Sequence, residues 1–251
     1  MNEPYRQILG VRFFVGDAKG AVELGLQGGL VVVPSAPVLL AMKEDASTAA
    51  ALVCSDLAIT DSGLMVLLWR LMRGEKLTRV SGLEYLKLLL EEHCLREPGA
   101  LFWVMPSEAT LEKSLCWLRQ EGFPTTREDC YLAPFYGGGE IADPALLEII
   151  NTRKPAHIIM AVGGGVQEKL AHYLKKGAHY RPGIHCTGAA IGFLSGDQAR
   201  IPDWADRYFL GWLMRCLQAP GRFIPRYWAA RKLVALMLKY GERSPASETR
   251  L

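Results

Sequence analysis

The sequence predicts an α/β fold with a Rossmann-like, doubly wound and mostly parallel sheet. Short apolar segments of strand length alternate with stretches of helical length, which is the rhythm of βαβ units. Two of the apolar segments run directly into glycine-containing loops, the kind of strand end that carries ligands in such sheets. The 251 residues suit one large domain, with at most a short appendage.

The hydrophobic pattern of the first half of the chain predicts two strands and three helices. They are a helix at 19–26, strands at 30–34 and 57–60, and helices at 64–73 and 82–93. A pair of glycines ends the first helix, and the last one carries leucines at helical spacing. The loop Asp61-Ser62-Gly63 follows the second strand.

The second half continues the alternation. It predicts strands at 101–105, 157–162 and 184–188 and helices at 108–121, 145–152 and 167–175. Three glycines, 163–165, separate the middle strand from the last helix. We expect the polar tail, 242–251, to be frayed.

Composition excludes several classes of protein. Half of the residues are hydrophobic and 22% are charged, so the chain is globular and not intrinsically disordered. Its apolar runs are far shorter than the roughly 20 residues of a membrane-spanning helix. The first residues lack the basic start and apolar stretch of a secretory signal, so we expect a cytoplasmic protein.

Metal and redox motifs are missing from the sequence. No two of the six cysteines form a CxxC pair, the five histidines form no HExxH, and no DxD pair is present to hold a divalent cation on a diphosphate. There is also no GxGxxG fingerprint and no GxxxxGK[ST] loop, which disfavours a dehydrogenase or a P-loop NTPase. We therefore predict a reaction that needs no metal and no cofactor.

Basic charge is concentrated near the C-terminus. The net charge is +3, but residues 207–239 contain seven Lys or Arg and no Asp or Glu, which leaves a net charge of −4 on the remainder. Tryptophans, tyrosines and leucines are interleaved with these cations. This composition is typical of a segment that contacts an anionic surface, such as lipid headgroups, pyrophosphate or nucleic acid. The alternative is a helix packed on the domain with solvated arginines.

Two strand ends carry candidate site residues, each with a purely structural alternative. Gly163 and Gly164 precede a helix and would bring backbone N–H groups to a phosphate, or form an ordinary tight turn. Asp61 would be a general base, or the N-cap of the following helix. Arg79 and Glu84 would clamp a charged ligand, or lie in a solvated turn.

The order of motifs resembles the WecG/TagA/CpsF family of bacterial glycosyltransferases, glycosyltransferase family 26. The resemblance extends over about residues 8 to 228, and its collinearity is more specific than any one motif. The motifs lie at 8–11, 21–23, 33–36, 61–63, 79–82, 135–138, 163–168, 188–190, 193–196, 200–204, 212–215, 220–222 and 226–227.

This resemblance implies a membrane-associated enzyme of exopolysaccharide or cell-wall synthesis. It would transfer a sugar from a UDP-sugar to a polyprenyl-diphosphate-linked acceptor, with inversion and without a metal, on the inner face of the cytoplasmic membrane. The donor sugar would be of the N-acetylmannosamine type or related. Nucleic acid is not an expected partner, and the sequence leaves open whether the protein forms a homo-oligomer.

The resemblance also implies roles for individual residues. Asp61 falls on the family's proposed catalytic base. The expected substrate-binding residues are Ser35, Arg79, Gly163, Gly164, Gln167, Glu168, Arg215, Arg222 and Arg226. Of these, Arg79, Gln167 and Glu168 fall in the donor or phosphate pocket, and the three C-terminal arginines face the membrane and the diphosphates.

The sequence departs from the family pattern at several of these motifs. The usual Thr-x-Asn is replaced by Val33-Pro34-Ser35, and Val166 replaces the basic residue before Gln-Glu. A rival interpretation is therefore a catalytically impaired member that binds a nucleotide sugar or a partner enzyme as a scaffold. The expected division is a glycosyltransferase domain at 1–205 and a basic, aromatic, membrane-associating helical appendage at 206–251.

Overall fold

One eight-stranded sheet organises the part of the chain that the structure describes. The structure is a computed structural model, and it describes residues 4–198, 221 and 228–248. The strand order across the sheet is β1-β2-β4-β3-β8-β7-β5-β6. The strands are β1 (Tyr5–Ile8), β2 (Val11–Phe14), β3 (Gly29–Val32), β4 (Leu57–Ala58), β5 (Leu101–Met105), β6 (Cys130–Leu132), β7 (His157–Met160) and β8 (Gly183–Cys186).

Helices connect most of these strands, and their starts are encoded locally. Six of them begin after an Asp or Ser whose side chain accepts a backbone N–H of the first turn, which satisfies an otherwise unpaired donor. The helices are α1 (Ala18–Gly25), α2 (Ala36–Ala41), α3 (Ala46–Val53), α4 (Gly63–Arg73), α5 (Gly82–Glu91), α6 (Glu108–Gln120), α7 (Pro144–Arg153), α8 (Val166–Gly177), α9 (Ala190–Leu194) and α10 (Lys232–Tyr240).

The described helices cover both faces of the sheet. One apolar core contains residues of α2, α3, α4, α7, α8 and α10, and the other contains residues of α1, α5, α6 and α9. Central strands contribute to both, since Leu30 and Val32 of β3 lie in the first core and Val31 lies in the second. Strands buried on both faces are expected to be continuously apolar, which is why their sequences lack polar alternation.

The predicted fold class is confirmed. All pairings within the sheet are parallel except β1 with β2. That antiparallel pair is a hairpin that the sequence analysis did not include. Its two turn residues, Leu9 and Gly10, both have positive φ, as tight primed hairpin turns require.

The C-terminal segment packs against that hairpin. The backbone N–H groups of Leu9 and Gly10 donate to the carbonyls of Gly241 and Glu242, and residues 245–248 form a short 3₁₀ turn. The expectation that the tail is frayed from 242 onward is therefore wrong for its described part, up to residue 248. Tertiary hydrogen bonds to the N-terminal strands hold a segment whose own composition is polar.

Candidate active site

Four strand ends form the candidate site, at the carboxyl edge of β3, β4, β7 and β8. The helix after β3 packs in the first core, whereas the helix after the neighbouring β8 packs in the second. The two loops therefore leave the sheet toward opposite faces. Open α/β sheets bind ligands at such a switch point.

Asp61 lies in the loop after β4, and its side chain reaches a different helix from the one that follows it. Ser62 is the N-cap of α4 and accepts the N–H of Met65. The Oδ1 atom of Asp61 accepts the N–H of Gly82, the first residue of α5, at 3.1 Å. The simple N-cap alternative for Asp61 is therefore wrong, because Ser62 occupies that position.

Arg79 fixes the same loop from the other side. Its Nε donates to the backbone carbonyl of Asp61 at 2.9 Å, and its guanidinium lies 3.8 Å from Asp61 Oδ1. The hydroxyl of Thr60 donates to the carbonyl of Thr78 at 2.6 Å. Two loops that are far apart in sequence are thus held together, and a half-buried carboxylate lies between an arginine and a helix N-terminus, which favour negative charge.

The three glycines after β7 lead into α8, but the helix N-terminus is already capped by its own carboxylate. The N–H of Gly165, which has a φ of +91°, donates to Glu168 Oε2 at 2.6 Å. Glu168 is fully buried, and burial raises its pKa above the ordinary value, against hydrogen bonds from Gln167 and Gly165 that lower it. The N–H of Gly165 is therefore already engaged and is not open to a phosphate oxygen.

Gln167 and Thr187 each contribute a buried polar atom that has no partner in the described part of the chain. Gln167 Nε2 donates to Glu168 Oε1 at 3.0 Å and to the carbonyl of Cys186 at 3.3 Å. Gln167 Oε1 and the hydroxyl of Thr187 have no hydrogen-bond partner among the described residues, although both side chains are buried. A Cβ on Gly188 would lie only 3.6 Å from the terminal atoms of Gln167.

Helix α5 brings the two halves of the site together. A Cβ on Gly82 would lie 3.2 Å from Val33 Cγ1 and 3.8 Å from the carbonyl of Thr187. The residue that donates to Asp61 therefore packs against the ends of both β3 and β8. Among the predicted residues, the structure pairs Asp61 with Arg79 and Gln167 with Glu168, and it places both pairs along the same edge of the sheet.

The other predicted site residues are Ser35, two glycines and three C-terminal arginines. Ser35 precedes α2 but makes no capping hydrogen bond with its side chain. Gly164 lies close to α2, since a Cβ there would be 2.9 Å from Val38 Cγ2, whereas a Cβ on Gly163 would meet open space. Arg215, Arg222 and Arg226 lie outside the described residues.

The sequence analysis missed Thr187, which lay inside the strand that it predicted at 184–188. In the structure β8 ends at Cys186, so Thr187 is the first residue of the loop. A hydroxyl residue followed by glycine at the end of an apolar strand was the available signal.

Comparison with known proteins identifies the family. The sequence model of the glycosyl transferase WecG/TagA/CpsF family matches residues 6–246, nearly the whole chain. The chain belongs to this family. The resemblance inferred from the motifs is thus confirmed, and the protein is of a glycosyltransferase type that acts in cell-surface polysaccharide synthesis. No protein of curated function matches the sequence closely enough to be counted as a relative.

The described ranges contain neither a cluster of metal ligands nor a membrane-spanning helix. Residues 4–198 and 228–248 hold no group of three or more His, Cys, Asp or Glu side chains arranged to bind a metal ion. In the same ranges no helix has the length and apolar character needed to cross a membrane.

Proposed function

We propose that the protein is an inverting, metal-independent glycosyltransferase. It transfers a sugar of the N-acetylmannosamine type, or a related one, from a UDP-sugar to a polyprenyl-diphosphate-linked acceptor. The observation that carries the proposal is the carboxylate of Asp61, which is held between Arg79 and the start of α5 at the end of β4, one strand from the switch point.

In this proposal Asp61 is the general base of a single displacement. The acceptor hydroxyl passes its proton to the carboxylate while its oxygen forms a bond to the anomeric carbon of the donor. The bond from that carbon to the β-phosphate oxygen breaks, and UDP leaves with the electron pair. The proposal assigns this proton to the carboxylate of Asp61, whose Oδ1 is held in place by the N–H of Gly82.

Arg79 is assigned to the diphosphate of the donor. Its guanidinium is half-buried beside the reacting carboxylate, where a fixed positive charge stabilises negative charge developing on the leaving group. We propose that Arg215, Arg222 and Arg226 add to this charge and contact the acceptor diphosphate. These arginines would take the place of a bound cation.

Gln167 and Thr187 are assigned to a neutral part of the donor sugar. Gln167 Oε1 needs an N–H or O–H donor, which an acetamido or hydroxyl group supplies and a phosphate at neutral pH does not. The capping of α8 by Glu168 supports the same assignment, since the N–H of Gly165 is already engaged and is not open to a phosphate oxygen. Gly163 and Ser35 remain proposed contacts to substrate at the same edge of the sheet.

The test is an assay of the full-length protein with a panel of UDP-sugars and lipid-diphosphate acceptors, with UDP release and glycosylated lipid both measured. We expect UDP release that depends on the acceptor and equals product formed. Release without acceptor, or no product with any pair, would contradict transfer. We also expect the rate to survive EDTA. Loss of activity that magnesium restores would show that arginines alone do not stabilise the leaving group.

A scaffold that binds a nucleotide sugar or partner enzyme without turnover is the second candidate. The observation that favours it concerns Ser35, which lies where the family usually has Thr-x-Asn. Its side chain makes no capping hydrogen bond. UDP-sugar binding measured by calorimetry, together with no product from the full acceptor panel, would support the scaffold over the enzyme.

The place of action is part of the same proposal. The protein would work as a peripheral protein on the inner face of the cytoplasmic membrane, with residues 1–205 as the transferase domain and 206–251 as the associating appendage. Helix α10, within that appendage, packs its Leu233 and Met237 into the first core, which supports an appendage that is docked on the domain.

A further inference from the structure

The segment between α4 and α5 passes from one face of the sheet to the other beside the candidate site. Residues 74–81, the crossing segment, have no helical or strand structure. Helix α4 packs in the first core and α5 in the second. Within the segment, Leu77 is buried in the first core and Val80 in the second. Thr78 and Arg79 lie between these two apolar anchors, where they contact the loop after β4.

A buried hydroxyl supports the middle of the crossing segment. Thr60 is fully buried, and its hydroxyl donates to the carbonyl of Thr78 at 2.6 Å. An apolar side chain would fill a buried position without the cost of desolvating a hydroxyl, so the hydroxyl of Thr60 needs this partner. Thr78 is itself exposed, so a segment that moved outward would find water for the carbonyl. The bond therefore acts chiefly on where the segment lies.

The same piece of chain carries this support and the proposed base. Thr60 directly precedes Asp61, and Thr78 directly precedes Arg79. The two pairs are joined in both directions, since Thr60 donates to the carbonyl of Thr78 and Arg79 Nε donates to the carbonyl of Asp61. One bond between two irregular segments leaves them free to pivot, whereas two bonds fix their relative orientation. The 3.8 Å distance between the guanidinium of Arg79 and Asp61 Oδ1 depends on that orientation.

We propose that Thr60 is a positioning residue that orients Arg79 toward the donor diphosphate. Its hydroxyl holds the crossing segment against the end of β4, so that the arginine lies beside the carboxylate of Asp61. Thr60 is fully buried, so it acts through Arg79 and not by contact with substrate. A misplacement of about 1 Å at such a site costs up to about 100-fold in rate. This proposal rests on the proposed roles of Asp61 and Arg79.

The test compares Thr60→Val with Thr60→Ser in the full-length protein. Valine keeps the shape of threonine without the hydroxyl, whereas serine keeps the hydroxyl. Thr48→Val is the matched control, because Thr48 is also buried and its hydroxyl donates to Asp45 at 2.9 Å, at the start of α3. Urea unfolding and circular dichroism establish that each variant is folded under the assay conditions.

We expect Thr60→Val to lower kcat/KM by about 10- to 100-fold and to weaken UDP binding, measured by calorimetry, about tenfold. Thr60→Ser should stay within about threefold of the parent in both, because it keeps the hydrogen bond. Thr48→Val should match the parent. The amide of Gly82, which donates to Asp61, should exchange with deuterium faster in Thr60→Val. Equal losses in the serine and valine variants would overturn the proposal, because the hydroxyl would then have no special part.

A double-mutant cycle with Arg79→Gln separates positioning from a general loss of structure. If Thr60 acts through Arg79, adding Thr60→Val to Arg79→Gln should change kcat/KM by less than about twofold, since coupled residues are not additive. Additive losses would overturn the proposal. Unchanged kcat/KM and UDP affinity in Thr60→Val alone would also overturn it.

The same cycle, measured on UDP affinity, keeps this proposal apart from the proposed function. A parent protein that binds UDP and gives the non-additive cycle, but transfers no sugar, would support the role of Thr60 and count against transfer alone. A parent protein that binds no UDP would overturn both.

Discussion

Two buried polar side chains, His185 on β8 and Thr187 in the loop directly after it, differ in whether their polar atoms are paired. At His185 both ring nitrogens are paired, one with the hydroxyl of Tyr85 at 2.8 Å and the other with His157 at 3.0 Å. At Thr187 the hydroxyl has no partner among the described residues, and neither does Oε1 of the adjacent Gln167. A satisfied buried network stabilises a fold, whereas an unsatisfied one is costly unless a ligand completes it.

The electrostatics of the satisfied region agree with a structural role. Burial lowers the pKa of His185 to about 3, with a smaller contribution from His157, whose own pKa burial also lowers. Burial raises the pKa of Tyr85. All three groups are therefore neutral at physiological pH and exchange no protons there. We therefore assign a structural role to the histidine pair and a functional role to the loop that follows β8.

The largest effect that we expect is on catalysis at Asp61. Asp61→Asn keeps an oxygen that can accept the N–H of Gly82 but removes the base, so turnover should fall by roughly 10²–10⁴ with the fold intact. Steady-state transfer rates measure the fall in turnover, and a thermal melt measures whether the fold is kept. Asp17→Asn is the control, because Asp17 also accepts a backbone N–H, at the start of α1. Equal rates for parent and Asp61→Asn would remove Asp61 from the mechanism.

A large loss of stability is expected from His185→Leu. The change leaves the hydroxyl of Tyr85 and a ring nitrogen of His157 unpaired in the interior, at a cost of about 1–3 kcal/mol for each group. Urea unfolding should show this loss, while transfer per folded molecule stays near the parent value. A stable variant with impaired transfer would reverse the assignment of the two regions.

Acid should weaken the parent protein through the same pair. Because the folded pKa of His185 lies below the ordinary value, its contribution to stability is present above about pH 6.5 and is lost as the pH falls. The free energy of unfolding should drop by about 2 kcal/mol between pH 7 and pH 5 on account of this one residue. In His185→Leu the slope over that interval should be smaller. Equal slopes would show that other groups set the acid response.

The smallest expected effect is at Thr187, and it is on substrate affinity. Thr187→Val removes a buried hydroxyl that the described residues leave unpaired, at nearly constant volume, so the stability should stay the same or rise slightly. The KM for the donor sugar should rise about tenfold, the cost of one lost hydrogen bond of about 1.4 kcal/mol. Ser114→Ala is the control, since Ser114 also has a buried, unpaired hydroxyl but lies on α6. A loss of stability without a change in KM would place Thr187 with His185 as structural.

Local sequence patterns were sufficient to predict the main strands and helices. The apolar runs that became β3, β5, β7 and β8 and the helical stretches around 64–73 and 82–93 lie where the sequence predicted them, within a few residues. The sequence pattern did not predict β6, the hairpin, or helices α2, α3 and α9. These elements are short, and pairing with neighbours decides them more than their own periodicity.

For the candidate site, the sequence by itself determined which residue types stand at the strand ends. Aspartate, arginine, glutamine and glycine follow strands that apolar runs already predict, and parallel strands bring such ends to one edge. Only the tertiary structure decided that Asp61 contacts Gly82 and that the hydroxyl of Thr187 finds no partner among the described residues. The physical reason is that each of these facts depends on where separate segments approach within hydrogen-bond distance, which strand register and helix packing set and no local pattern encodes.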